Sequence, residues 1–209
     1  MDVRVPPLPQ ERLGPLARLV GWGAAHVTGG DPPHIFSTLG RHRRLLRAWL
    51  PFAGTMLMRT RLPRSDVELV VLRTACNCAS GYEWAQHVSL ARKSGLHAEA
   101  IAAVPGWPAD EGDSTLTGRQ RMLLAATDDL HERRVVTTDN WEPLAHELAE
   151  CELVELCMLV GHYEMLAMTL SSLGVEPDAS SVDWLDQQDR ETFDRLQSRA
   201  TSRASDSQL

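Results

Sequence analysis

Glu68-Leu-Val-Val-Leu-Arg-Thr-Ala-Cys-Asn-Cys-Ala-Ser80-Gly-Tyr-Glu83-Trp-Ala-Gln-His87 is the stretch that decides how this chain folds. Its first half is mostly apolar after Glu68 and shows no sustained period-two alternation. It reads as a helix over about Asp66 to Ala79, buried on most of its sides. Ser65 with Glu68, and Ser80 with Glu83, stand at capping-box spacing, so two helices are expected to open there in succession. The second should end at Gly95, with Arg92 and Lys93 in its last turn.

The flanking sequence repeats the pattern. Residues 1–10 read as an extended arm and Glu11 to His26 as a helix, broken at Gly29-Gly30-Asp31-Pro32-Pro33. A helical region runs from about Phe36 to Leu50, with Pro51 ending or kinking it. A short helix, Ala98 to Val104, stops at Pro105-Gly106-Trp107-Pro108, and an acidic loop follows from Asp110 to Asp113. Helices are expected near Thr117–Glu132, Asn140–Glu150 and Cys151–Leu173, the last stopped by Gly174. An amphipathic helix over about Trp184 to Arg199 and a mobile polar tail from Ala200 close the chain. With only three Phe and two Tyr, strand signals are nearly absent, and the chain reads as all-α.

Composition narrows the function classes. The 209 residues carry 21 Lys and Arg against 28 Asp and Glu, a net charge of −7, so nothing draws the chain to a phosphate backbone and no nucleic-acid partner is expected. The most apolar segment, Leu153 to Leu173, is interrupted by Glu155, His162 and Glu164, so no membrane span is expected. The Pro-rich start lacks the pattern of a secretory signal. Four cysteines are too few for a disulfide scaffold, and a cytoplasmic location is the expectation.

Several residues could carry chemistry. Glu83 and His87 are four apart and share a helix face, where a carboxylate beneath an imidazole can hold its tautomer and raise its basicity. Glu68 either caps its helix or sits in a pocket. Both glutamates also fit the third position of a capping box, and His87 also fits a structural histidine. No third and fourth metal ligand follow at familiar spacing, so no metal is expected. Cys76 and Cys78, about 200° apart around a helix, point to opposite sides and read as buried structural thiols. Cys151 and Cys157 read the same way. Gly161-His162-Tyr163 places polar groups in an apolar helix, either lining a pocket or hydrogen-bonded in the core. Trp84 suits packing, or a wall for a flat unsaturated ligand. The other tryptophans read as core or interface anchors, and the basic run Arg41 to Arg44 with Arg47 as a solvated face.

Glu68 followed by Tyr82-Glu83-Trp84-Ala85-Gln86-His87 and Ala91-Arg92-Lys93-Ser94-Gly95-Leu96 resembles the core motif of the carboxymuconolactone decarboxylase and alkyl hydroperoxidase D superfamily. In the peroxidase branch a Glu is followed by Cys at twelve, a second Cys three later and His four beyond. This chain has Ser80, Glu83 and His87 at those places, so the dithiol is missing. The decarboxylase branch is similar in carrying Glu four positions before His.

The resemblance implies an alkyl hydroperoxidase D-like helical bundle over residues 36–178, preceded by an arm and helix (1–35) and followed by a C-terminal helix and tail (179–209). It implies a cofactor-independent decarboxylase, lyase or isomerase for a small carboxylated, unsaturated or lactone-like compound. His87 would move a proton at carbon, Glu83 would orient it or act as partner acid, and Glu68 would complete a relay. Ser80, Tyr82, Trp84, His162 and Tyr163 would line the substrate site. A homo-oligomer, whether trimer, hexamer or dimer, goes with the resemblance. The rival readings are a thiol-dependent peroxide-reducing enzyme and a catalytically silent binding or assembly protein.

Overall fold

A computed structural model describes residues 3–28, 30–108 and 115–206, and among them every regular element is helical. The acidic loop at Asp110 to Asp113 lies outside the described residues. The elements are α1 (Pro15–Thr28), α2 (His34–Leu39), α3 (Arg43–Met58), α4 (Arg64–Cys78), α5 (Gly81–Lys93), α6 (Ala98–Ala103), α7 (Gly118–Arg133), α8 (Thr138–Glu147), α9 (Glu150–Leu173), α10 (Ala179–Asp183) and α11 (Gln187–Asp206). Short 3-10 turns occupy Gln10–Arg12 and Val104–Gly106.

Helix α4 is the axis. Every residue from Asp66 to Cys76 is buried, as its nearly unbroken apolar sequence requires, with α5, α7 and α9 packed around it. Its polar side chains are tolerated because each finds a partner. Arg73 grips both oxygens of Asp128 at 2.6 and 2.9 Å and the Val104 carbonyl at 3.0 Å, and Asp66 takes Arg119 at 2.7 Å. The helix closes on Ala79 in the left-handed conformation (φ 56°), with the Ser80 N–H reaching back to the Ala75 carbonyl at 2.8 Å. That tight turn aims α5 back along α4.

Several sequence expectations change. Pro63 stands before the first turn of α4, so Ser65 lies inside the helix and the Ser65–Glu68 capping box does not form. Pro51 sits within α3, which runs on to Met58, and Thr55 Oγ1 donates to the Pro51 carbonyl at 2.9 Å. The polar tail from Ala200 continues α11 as helix to Asp206. Cys151 and Cys157 are exposed, because they lie on the outer side of α9.

Helix α9 is long and apolar enough by composition to cross a membrane, with a mean hydropathy of 1.4, but half of that window is buried inside this fold. Leu153, Leu156, Leu159, Val160 and Tyr163 are its buried face. The N-terminal arm is tied down where Arg4 and Val5 N–H groups donate to the Leu173 carbonyl at 3.1 and 3.0 Å. Helices α1 and α2 thereby lie over the open side of α5 and α9, and this roof encloses a cavity.

Candidate active site

The cavity, about 360 Å³, lies between α1, α2, α3, α5 and α9. Apolar side chains from α1 to α3, including Val20, Phe36, Leu50 and Leu57, form its roof, while Tyr82, Glu83, Gln86, His87, His162 and Tyr163 form the polar floor. Among the described residues, no lysine or arginine stands in its wall.

His87 is buried on α5, and its Nδ1–H donates to Glu68 Oε2 at 2.7 Å. A carboxylate only accepts, so the proton sits on Nδ1 and leaves the Nε2 lone pair for another molecule. Glu68, fully buried on α4, is held in turn by Arg64 one helical turn earlier. The chain Arg64–Glu68–His87 orients the imidazole as a base and neutralises the buried carboxylate. Spacing alone makes Glu83, one turn before His87 on the same helix, a candidate either to orient the imidazole or to act as its partner acid. Glu68 takes the orienting role from the neighbouring helix, because α4 and α5 pack antiparallel and bring the two side chains together.

Glu83 is the odd member. Ser80 caps α5, its Oγ accepting the Glu83 N–H at 3.4 Å, but the Glu83 carboxylate does not return the bond and the reciprocal box is absent. Both carboxylate oxygens are buried without a hydrogen-bond partner. Burial pushes its pKa up to about 8, so the group is a neutral carboxylic acid at pH 7. Burial holds the His162 pKa down at about 4, and its Nδ1 is likewise unpartnered. Trp49 Nε1 is a third such group. Among the described residues five buried side-chain polar atoms lack partners, and four of them belong to residues of this wall. Buried polar groups in folded proteins are ordinarily paired, so such a concentration marks a place where a ligand completes the bonding.

Rings frame the site. Tyr163 stands edge-on to His87 at 5.0 Å and to His162 at 5.2 Å, while His162 stacks on Trp49 at 6.0 Å and meets Phe52 edge-on at 5.0 Å. Tyr82 donates to Asp178 at 2.9 Å, and Gln86 donates to the same oxygen at 2.5 Å. Thus Glu68, Glu83 and His87 are brought together with Tyr82, His162 and Tyr163. Ser80 lies outside the cavity wall as a helix cap, and Trp84, also outside it, is fully buried with its Nε1–H on the Asp189 carbonyl at 3.1 Å. Sequence reasoning missed Trp49, Arg64 and Asp178. Only the fold brings Trp49 into the cavity wall and Asp178 onto Tyr82 and Gln86, while Arg64, four residues before Glu68, was a readable helical ion pair.

The thiols stand apart from this machinery. Burial pushes the Cys76 and Cys78 pKa values up to about 12, and both are free cysteines. Cys78 Sγ does gather with His131 Nδ1 and a Glu164 oxygen, all within 4.8 Å of one another. Glu164 is already shared by His131 at 2.7 Å and Arg134 at 2.6 Å, and Arg4, Arg134 and Arg203 line the same cleft. That balance of charge opposes a cation there.

Comparison with known proteins agrees with this architecture. Residues 43–126, from α3 into α7, match the profile of the carboxymuconolactone decarboxylase family. A peroxidase-related protein from Ralstonia eutropha with an alkylhydroperoxidase AhpD core superposes with a TM-score of 0.74 at 16% identity, over 87% of this chain and 95% of that one. The debrominase Bmp8, solved with 2,3,4-tribromopyrrole, gives 0.75 at 15% identity, over 94% and 98%. A peroxidase-related protein from Silicibacter sp. gives 0.73 at 13%, over 87% and 95%. At these identities the likeness establishes the fold. No significant match is found among curated protein sequences.

Proposed function

We propose that this chain, whose residues 43–126 match the profile of the carboxymuconolactone decarboxylase family, is a cofactor-independent acid–base enzyme. It moves a proton at a carbon atom of a small unsaturated or lactone-like compound held in the cavity between Glu83 and His87. The observation that carries this reading is an oriented base beside an unpartnered neutral acid, one helical turn apart on the floor of one apolar cavity. Two titratable groups with opposed environments are the usual arrangement for proton transfer at carbon near neutral pH.

His87 Nε2 takes the proton from a carbon next to a conjugated carbonyl. The C–H electron pair moves toward the carbonyl oxygen, which takes up the Glu83 proton, and a neutral enol results. Return of the proton from His87 to a different carbon, with Glu83 reclaiming the hydroxyl proton, completes an isomerisation. Loss of carbon dioxide reaches the same enol by breaking a carbon–carbon bond, so decarboxylation is the second outcome this machinery supports. Tyr163 and His162 fix the ring planes against which a flat substrate would lie. The debrominase Bmp8 was solved with a flat ring bound, which suits a shared fold that accepts such molecules. The raised thiol pKa values speak against peroxide reduction through Cys76 or Cys78.

The chain is further proposed to self-associate. Val154, Met158, Met165 and Met168 are exposed along one side of α9, and Gly161 between them has open space around it. Steps of three and four residues make this an apolar seam suited to another helix.

The test is deuterium incorporation from solvent into a panel of conjugated ketones and lactones, followed by proton NMR. Wild type is expected to exchange carbon-bound hydrogen. His87→Ala and Glu83→Gln, shown by circular dichroism to be folded, are expected to be about 10²- to 10⁴-fold slower. A wild-type chain no faster than buffer across the panel would leave a catalytically silent member of the family.

A further inference from the structure

The site is built for an uncharged substrate. We infer that the molecule taken between Glu83, His162 and Trp49 is a planar conjugated carbonyl compound without an ionised carboxylate, and that the reaction is accordingly double-bond or proton shifting with no release of carbon dioxide. This rests on the acid–base reading above and narrows it, departing from the carboxylated substrate that the sequence resemblance implied.

The argument is one of charge and of unmade hydrogen bonds. A carboxylate entering a buried site needs a cation or several convergent donors, because desolvation otherwise outweighs any contact it gains. Among the described residues, the cavity wall contains no lysine or arginine. The Arg64 guanidinium is engaged by Glu68, which also takes the Nδ1–H of His87. His162 is held neutral by burial. An anion would therefore meet Glu83, a buried carboxyl without any partner, and no lysine or arginine among the described residues of the wall.

The unpartnered groups suit a neutral carbonyl compound instead. Trp49 Nε1–H can only donate. Glu83, as a carboxylic acid, donates once and accepts once. His162 Nδ1 donates or accepts according to its tautomer. Two donors without partners on residues that line one cavity suit a substrate with carbonyl or hydroxyl oxygens. The apolar roof of Val20, Phe36, Leu50 and Leu57 asks for a hydrocarbon or heteroaromatic body. Polarising such a carbonyl from Glu83 while His87 takes the proton needs no further reagent.

The test compares two ligands of the same shape, trans-cinnamamide and trans-cinnamate, by titration calorimetry on the intact chain at pH 7. The amide is expected to bind at least about tenfold more tightly than the carboxylate, since a neutral ligand avoids an uncompensated buried charge. Trp49→Phe, which keeps the ring and removes the N–H, is expected to weaken the amide roughly 3- to 10-fold, the scale of one net hydrogen bond. Equal or tighter binding of cinnamate, binding of neither ligand, or an amide affinity unmoved by Trp49→Phe overturns the inference. Binding is read here without turnover. A chain that prefers the amide yet never exchanges carbon-bound hydrogen keeps this inference and loses the acid–base reading. A chain that exchanges hydrogen yet prefers carboxylates does the reverse.

Discussion

Glu83 shows how one side chain can couple a site to the stability of the fold. Its pKa rises from the ordinary 4.5 to about 8 on folding because the carboxyl is buried. Between those values the folded chain holds a proton that the unfolded chain releases. The stability this contributes is fully present below about pH 4.5 and is lost as pH rises through 8, by at most roughly 1.4 kcal/mol per pH unit. His162 works the other way: its pKa falls from 6.5 to about 4, so its contribution is present above pH 6.5 and is lost as pH falls through 4. The two slopes oppose each other between about 4.5 and 6.5. Wild type should therefore be level there and weaken toward pH 8. Glu83→Gln is expected to be more stable than wild type at and above pH 8, and to reveal the acid-side slope of His162. Urea melts of both proteins across this range check it, and an unchanged profile would mean that Glu83 is not buried as a neutral acid. The same scale holds the thiol question. Cys76→Ala and Cys78→Ala are expected to leave turnover within about twofold, since a thiol with a pKa near 12 supplies almost no thiolate at neutral pH. A loss of activity in either variant while folded would reopen the peroxidase reading.

At the scale of elements, the α4–α5 turn does two jobs, and a substitution separates them. Ser80 caps α5 and keeps its side chain out of the cavity. Ser80→Ala should cost about 1 kcal/mol of stability, the usual value of an N-cap, with kcat unchanged. A fall in kcat without loss of stability would make the hydroxyl a participant in the reaction. Gly174 ends α9 in the left-handed conformation at φ 65°, and Gly174→Ala is expected to cost about 1 kcal/mol for the same geometric reason. A thermal melt unmoved by that change would mean that the end of α9 readjusts. Both caps were readable in the sequence, because capping depends on residues three or four apart. The fate of Glu68 was not. Its spacing after Ser65 suggested a cap, but Pro63 begins the helix early and α5 supplies His87 as a better partner.

For the whole molecule, the question is what covers the outer face of α9. Val154 and Met168 are each 63% exposed, and Met158 and Met165 lie between them. A seam of this kind on an exposed helix is where the proposed self-association would take place. Sedimentation velocity should find wild type as an oligomer, and Met165→Glu should shift it to monomer with an unchanged circular dichroism spectrum. A wild-type monomer at micromolar concentration would sink the proposal. The periodicity of this helix announced an apolar element but not its second face, so Cys151 and Cys157 read as buried when the single chain leaves them exposed.

What the sequence determined by itself is the set of helices, their order and most of their ends, because those depend on period, caps and breakers within a few residues of one another. It also named Glu68, Glu83 and His87, since their spacing is a local fact that resembles a known motif. What the tertiary structure decided is which glutamate does what. Glu68 reaches His87 from another helix, Glu83 is left neutral and unpartnered by burial under α1 to α3, and Trp49 and His162 stack together in the wall of the same cavity. Hydrogen bonding and desolvation act across distances in space that the linear order of residues does not record, so roles that turn on them emerge only once the helices have packed.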